Sequence, residues 1–389
     1  MKRNWMITLS VAVLAIGITA CGTAQQNNNA AQQNNNAAQQ NNNAAQPNQT
    51  TNNSENKAEA PISQNVAPAF FYTADEGGSV TKIDATSNQV LQTIKVEGAV
   101  HNVQVSPDGK LVGATVVPSM SDMEGMSEAE DQEGGHGEDG DHEMSGYANF
   151  YDTVSDELVK KVEVGIHPAH LVFTMDGKNV LVTNNEGNNV TVLDAKTFQT
   201  VGTIPAGKGP HGFRVSADSK FAYVANMSED TVSVLNLQTM VEEKKIKVGS
   251  TPVTTGVTSD GKTLVVPLNA ENAAVIVDLA TEKMIKVPVG NGPAQVYIPS
   301  DNKYAIIANQ GTEQNPSNSI SKIDLATNQV IATIETGKGA HGVVVSPDNS
   351  KIYVTNMFDN TVTVIDNETN KVITTIKVGT TPNGISVTP

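Results

Sequence analysis

Cysteine occurs once in these 389 residues, as Cys21, so no intrachain disulfide can form and stability must come from packing. Tryptophan also occurs once, as Trp5, and aromatics make up 4% of the chain, which leaves Val, Ile, Leu and Ala to build any core. Arginine occurs twice, as Arg3 and Arg214, and 41 acidic residues outweigh 25 basic ones for a formal charge of −16. That balance is the opposite of a phosphate-binding footprint and excludes nucleic acid as the expected partner. Beyond Ala67 no stretch carries apolar residues at helical spacing, so a helical fold is excluded as well. The chain has no Ser nucleophile elbow, no Cys-x-x-Cys and no His-Glu-x-x-His.

Long apolar runs are missing too, except for Met6–Ala20 after the basic Met1-Lys2-Arg3. Fifteen residues fall short of the ~20 that span a bilayer, so residues 1–20 read as an export signal. It ends in Ile18-Thr19-Ala20-Cys21, which resembles the lipobox of bacterial lipoproteins and implies a lipidated Cys21. Residues 21–66 then repeat Gln-Gln-Asn-Asn-Asn-Ala-Ala with almost no large apolar side chain, which predicts a disordered tether. At ~5–6 Å times the square root of its length, such a leash has an r.m.s. span of roughly 35–40 Å. The expected location is outside the cytoplasm, lipid-anchored to the outer face of the cell membrane or to the periplasmic face of an outer membrane.

What fills residues 67–389 is one phrase repeated. An acid or amide recurs at Asp84, Asp152, Asp194, Asn236, Asp278, Asp324 and Asp366, with successive spacings of 68, 42, 42, 42, 46 and 42. Each unit holds four short β-branched runs, such as Val180-Leu181-Val182-Thr183, divided by turns such as Ser346-Pro347-Asp348. A fixed period of this length with four strands per unit predicts an all-β, seven-bladed propeller. The two ends decide how the ring closes. Pro382–Pro389 matches only the first strand of a unit, whereas Phe70-Phe71-Tyr72-Thr73 matches the second, so the C-terminal strand is expected to pair with the N-terminal blade.

The phrase Tyr353-Val354-Thr355-Asn356, with Leu181-Val182-Thr183-Asn184 and Tyr223-Val224-Ala225-Asn226, resembles the Tyr-Val-Thr-Asn family of propeller repeats. The resemblance covers residues 67–389. It implies the fold and an extracytoplasmic setting, and it assigns no activity, since propellers host many. Gly207–Gly212 spells G-x-G-x-x-G, but it leads into a strand rather than a helix, so no dinucleotide site is expected.

Two features carry chemistry. Residues 118–147 interrupt one unit between its second and third strands with ten carboxylates and no Lys or Arg, so that the formal −16 falls to about −6 outside it. His136, His142, Asp139, Asp141, Glu143 and Met144 there are candidate ligands for copper or another divalent cation. With strands lettered a to d from the axis outward, this b–c loop and a smaller one around Gln310–Ser317 share a face with the d–a loops. His101, His170, His211 and His341 stand where those d–a loops lead into strand a, and their convergence around one mouth of the channel makes a second candidate metal site. Nitrous oxide reductase is similar in placing a histidine-bound copper cluster at such a mouth. The functional expectation is a monomeric scaffold that binds a protein, peptide or glycan through this face. The alternatives are metal binding or delivery and a lactonase-like or haem-linked enzyme.

Overall fold

A computed structural model describes residues 69–118 and 145–389. These residues form seven four-stranded antiparallel sheets arranged as a propeller, with little besides turns between them. Cys21, the expected lipidation residue, and the candidate insert ligands His136, His142, Asp139, Asp141, Glu143 and Met144 lie outside the described residues. Blade 1 takes its a strand from Pro382–Val387 and its b, c and d strands from Phe70–Asp75, Ser79–Asp84 and Val90–Lys95. The C-terminal strand thus closes the ring, with Phe71 opposite Val387 and Thr73 opposite Ile385. The a strands of blades 2 to 7 are Ala99–Val105, Pro168–Phe173, Pro210–Val215, Gly256–Val257, Pro293–Tyr297 and Ala340–Val345. In blade 2, strand c begins at Ser145, so Ser145, Gly146 and Tyr147 belong to the sheet rather than to the interrupting loop. In blade 6 the smaller elaboration prolongs the b–c hairpin to the pair Gly311–Pro316.

The core is distributed around the ring instead of being gathered at a centre. Both faces of each sheet pack on a neighbour, which is why the strands read as continuous apolar runs. Val172, Leu181 and Ile204 of blade 3 pack on Phe213, Ala222 and Val224 of blade 4, and a like cluster fills each of the other interfaces. At the seam Phe71 of blade 1 stacks on Tyr353 of blade 7 with ring centroids 4.4 Å apart. Strand d is the exposed rim, where Leu91, Val159, Val201 and Ile373 face solvent.

The repeated polar residues are the hardware of the blade. The acid ending strand c caps the c–d turn: in Asp194, Oδ1 accepts from the N–H groups of Lys196 and Thr197 and from the Thr197 hydroxyl. The Asn of the phrase ties strand b to strand c, as Asn356 Nδ2 donates to the hydroxyls of Thr361 and Thr363. A glycine must lie against it, because a Cβ at Gly207 would fall 2.3 Å from Asn226 Nδ2. In blade 1 this Asn is replaced by Asp75, fully buried, where the hydroxyls of Thr73, Ser79 and Thr81 donate to the carboxylate and burial raises its pKa.

The histidine cluster at the channel mouth

A β-bulge near the start of strand a aims the candidate residues. In blade 4 the register jumps from Pro210–Asn226 to Phe213–Val224, so His211 and Gly212 together oppose one residue, Ala225. Blades 3 and 7 do the same around Ala169–His170 and His341–Gly342, and blade 2 bulges at His101. A bulge interrupts the alternation of side chains and turns residues that would pack between blades toward the axis. The Thr of the repeated phrase holds it open. Thr183 Oγ1 accepts from the His170 N–H at 2.9 Å and donates to the His211 carbonyl at 2.8 Å, linking one bulge to the next blade. Thr355 does likewise between Gly342 and Asn383.

The structure brings together three of the four predicted histidines. His101, His170 and His211, from consecutive blades, each offer one ring nitrogen, and these three atoms lie within 4.8 Å of one another. Their ring centroids are 4.9 to 5.8 Å apart. His341 stays outside this group. Its Nδ1 lies 3.3 Å from both Gln295 Nε2 and the Asn383 carbonyl, and Asn383 Nδ2 donates at 2.7 Å to Glu76. His167 is exposed and pairs with Glu186.

Hydrogen bonding fixes the tautomers. His211 Nδ1 is 3.0 Å from the Val253 carbonyl, which only accepts, so that nitrogen carries the proton. His101 Nδ1 is 2.9 Å from Glu76 Oε1, which likewise takes an N–H. In its neutral form each ring keeps a lone pair on Nε2, and the two Nε2 atoms lie at hydrogen-bond distance from each other, 3.1 Å. Two acceptors at that distance repel unless a cation sits against them. A proton shared along the line would suffice for two rings but leaves the third. His170 is 1% exposed, and neither of its ring nitrogens has a partner among the described residues. An orphaned buried pair of this kind costs about 1–3 kcal/mol per group. Glu76, unmentioned in the sequence reading, completes the cluster. Burial pushes its carboxyl up, but the His101 N–H and the Asn383 amide outweigh that and hold it at about 2.

These pKa shifts set a pH dependence. Burial, then the neighbouring His101, pushes His211 down to about 3; burial lowers His341 to about 4 and His170 well below its ordinary value. A folded-state value below the unfolded ~6.5 means stability that is complete above pH 6.5 and lost as the unfolded chain protonates first. Metal-free protein should lose about 2 kcal/mol per such imidazole between pH 7 and pH 5. Urea midpoints measured across that range check it, and a flat midpoint would mean that the rings are not held neutral.

Sequence and fold comparisons agree with this architecture. A family model described as YNCE-like beta-propeller matches residues 151–316 and 312–388. The chain belongs to that family. No curated protein matches the sequence. Among solved structures, the YNCE-like ring is similar to Kuenenia stuttgartiensis hydrazine synthase, at 18% identity and a TM-score of 0.62, over 74% of this chain and 89% of that one. It is also similar to the dihydro-heme d1 dehydrogenase NirN in complex with DHE, at 16% identity and a TM-score of 0.56, over 81% of this chain and 74% of that one. At such identities these likenesses show the propeller fold alone.

Proposed function

We propose that this YNCE-like propeller is an extracytoplasmic metal-binding scaffold, tethered to a membrane through lipidated Cys21 and the leash 21–66. It holds one transition-metal ion at the channel mouth through His101, His170 and His211. The observation that carries this reading is the gathering of three imidazoles: two Nε2 atoms 3.1 Å apart, with an unpartnered His170 beside them and one nitrogen from each ring within 4.8 Å of the others. Imidazole suits copper, zinc, nickel and iron, and three protein ligands leave a further position open to water or a partner's donor. Ligand nitrogens on one ion at ~2.0–2.1 Å sit roughly 3–3.5 Å apart, a spacing the first pair matches at 3.1 Å and the third nitrogen, within 4.8 Å, has still to reach. The other faces of two rings fit as well. A metal-bound imidazole usually gives its second N–H to a carboxylate or a carbonyl, and Glu76 and Val253 provide one of each.

Metal analysis of the isolated full chain and titration of metal-free protein with zinc and copper test this reading. One equivalent is expected, retained when residues 119–144 are deleted and lost in His101→Ala/His211→Ala. Uptake that survives the double substitution but disappears with the deletion moves the metal to His136, His142 and their acidic neighbours. No uptake at all leaves a scaffold for a protein, peptide or glycan.

A further inference from the structure

The opposite mouth of the same channel holds a cation with too few partners. Arg214 stands three residues beyond His211 on strand a of blade 4, and its guanidinium lies among the converging a strands while keeping contact with the channel solvent. Among the described residues its one side-chain hydrogen bond runs from Nη1 to the Phe213 carbonyl at 3.1 Å, although a guanidinium carries five N–H donors. No carboxylate among the described residues pairs with it. Its ionisable neighbours are Tyr297, whose hydroxyl is itself pushed up by burial, and His170 of the histidine cluster, whose charged form the guanidinium disfavours. A half-buried charge without a counter-ion carries part of the desolvation cost of burial, and a partner anion offsets it.

The space in front of Arg214 is shaped for one. A cavity of about 350 Å³ opens there, within the range of small-molecule sites. Gln104 and Tyr297 contribute polar groups to its wall, Phe173 and Ile385 contribute apolar surface, and no Asp or Glu lines it. Lysine is the chain's usual cation, at 23 of its 25 basic residues, yet this position holds the planar fork that matches a carboxylate with two parallel bonds.

We propose that this mouth binds a small organic carboxylate, its two oxygens on Arg214 and its apolar body against Phe173 and Ile385. The site stands whether or not a metal occupies the other mouth. Isothermal titration of the metal-free full chain at pH 7 with benzoate, acetate and inorganic phosphate tests it. Benzoate should bind one per chain, more tightly than acetate. Arg214→Lys, which keeps the charge but loses the fork, should weaken benzoate about tenfold or more. Arg214→Gln should abolish binding with its far-UV spectrum intact. Equal benzoate affinity in wild type and either variant overturns the proposal, as does phosphate binding more tightly than benzoate, or no heat from any of the three at tens of millimolar.

Discussion

Removing Pro382–Pro389 should abolish cooperative unfolding of the ring. That segment is the innermost strand of blade 1, buried along almost its whole length, and it supplies four kinds of contact at once. It pairs with strand b of blade 1, and the seam is extended as the Thr388 N–H donates to the Phe70 carbonyl while the Phe70 N–H donates to Thr388 Oγ1. Ile385 packs with Phe71, Val344 and Tyr353. Ser386 Oγ accepts from the Val105 N–H of blade 2, and the Asn383 carbonyl accepts from Thr355 of blade 7. Loss of the strand would expose the backbone of Phe70–Asp75 as a free edge and open two apolar interfaces. Several hydrogen bonds at about 1 kcal/mol each, plus about 1.5–3 kcal/mol for each large apolar side chain, approach the 5–15 kcal/mol that a whole domain commands. The truncated chain should therefore be protease-sensitive and show a broad or absent thermal transition by circular dichroism. Deleting Pro389 alone, which is exposed, should change little. A truncated chain that melts as sharply and as high as the intact one would refute closure by this strand.

That closure was legible in the sequence because every blade solves the same packing problem with the same phrase. Two incomplete copies at the ends of a periodic pattern have one economical pairing. The convergence of His101, His170 and His211 was legible for the same reason, since residues at equivalent points of consecutive blades must meet near the axis. What periodicity does not contain is the bulge. Strict alternation would bury these side chains between blades, and only the register reveals that His101, His211 and His341 occupy the first bulge position while His170 occupies the second. The Thr hydroxyls that hold the bulges open look, in sequence, like ordinary strand residues. Glu76 was missed because it reads as a turn residue, although comparison of the copies offers a signal. The residue after the phrase is Glu76 in blade 1 but Asn185, Met227, Asn269, Gln310 and Met357 in others, so blade 1 alone puts an acid there among these. Arg214 stands out in the sequence by its rarity alone, because strand pattern does not show which residues of strand a face the lumen.

The second large effect separates a metal centre from a set of packed histidines, and its sign differs between two measurements. His170→Leu should eliminate metal uptake, weakening affinity by more than about 100-fold, as His101→Ala and His211→Ala should. The same substitution should leave metal-free protein as stable as wild type or raise its stability by about 1–3 kcal/mol, since it replaces two orphaned buried nitrogens with an apolar side chain. Glu76→Gln should cost about 10–100-fold in affinity, because an amide orients the His101 ring less firmly and does not enrich its electron density. His341→Gln, which copies the amide present at Gln295 in blade 6, should alter affinity only by a factor of a few. Titrations paired with urea unfolding of the metal-free variants give both readouts. A structural histidine behaves in the opposite way: its removal destabilises the ring and leaves metal uptake alone. Loss of stability in His170→Leu with undiminished uptake would therefore count decisively against the centre. A site selected for binding keeps an arrangement that the empty fold disfavours, and the two unpartnered nitrogens of His170 beside the His101–His211 pair are such an arrangement.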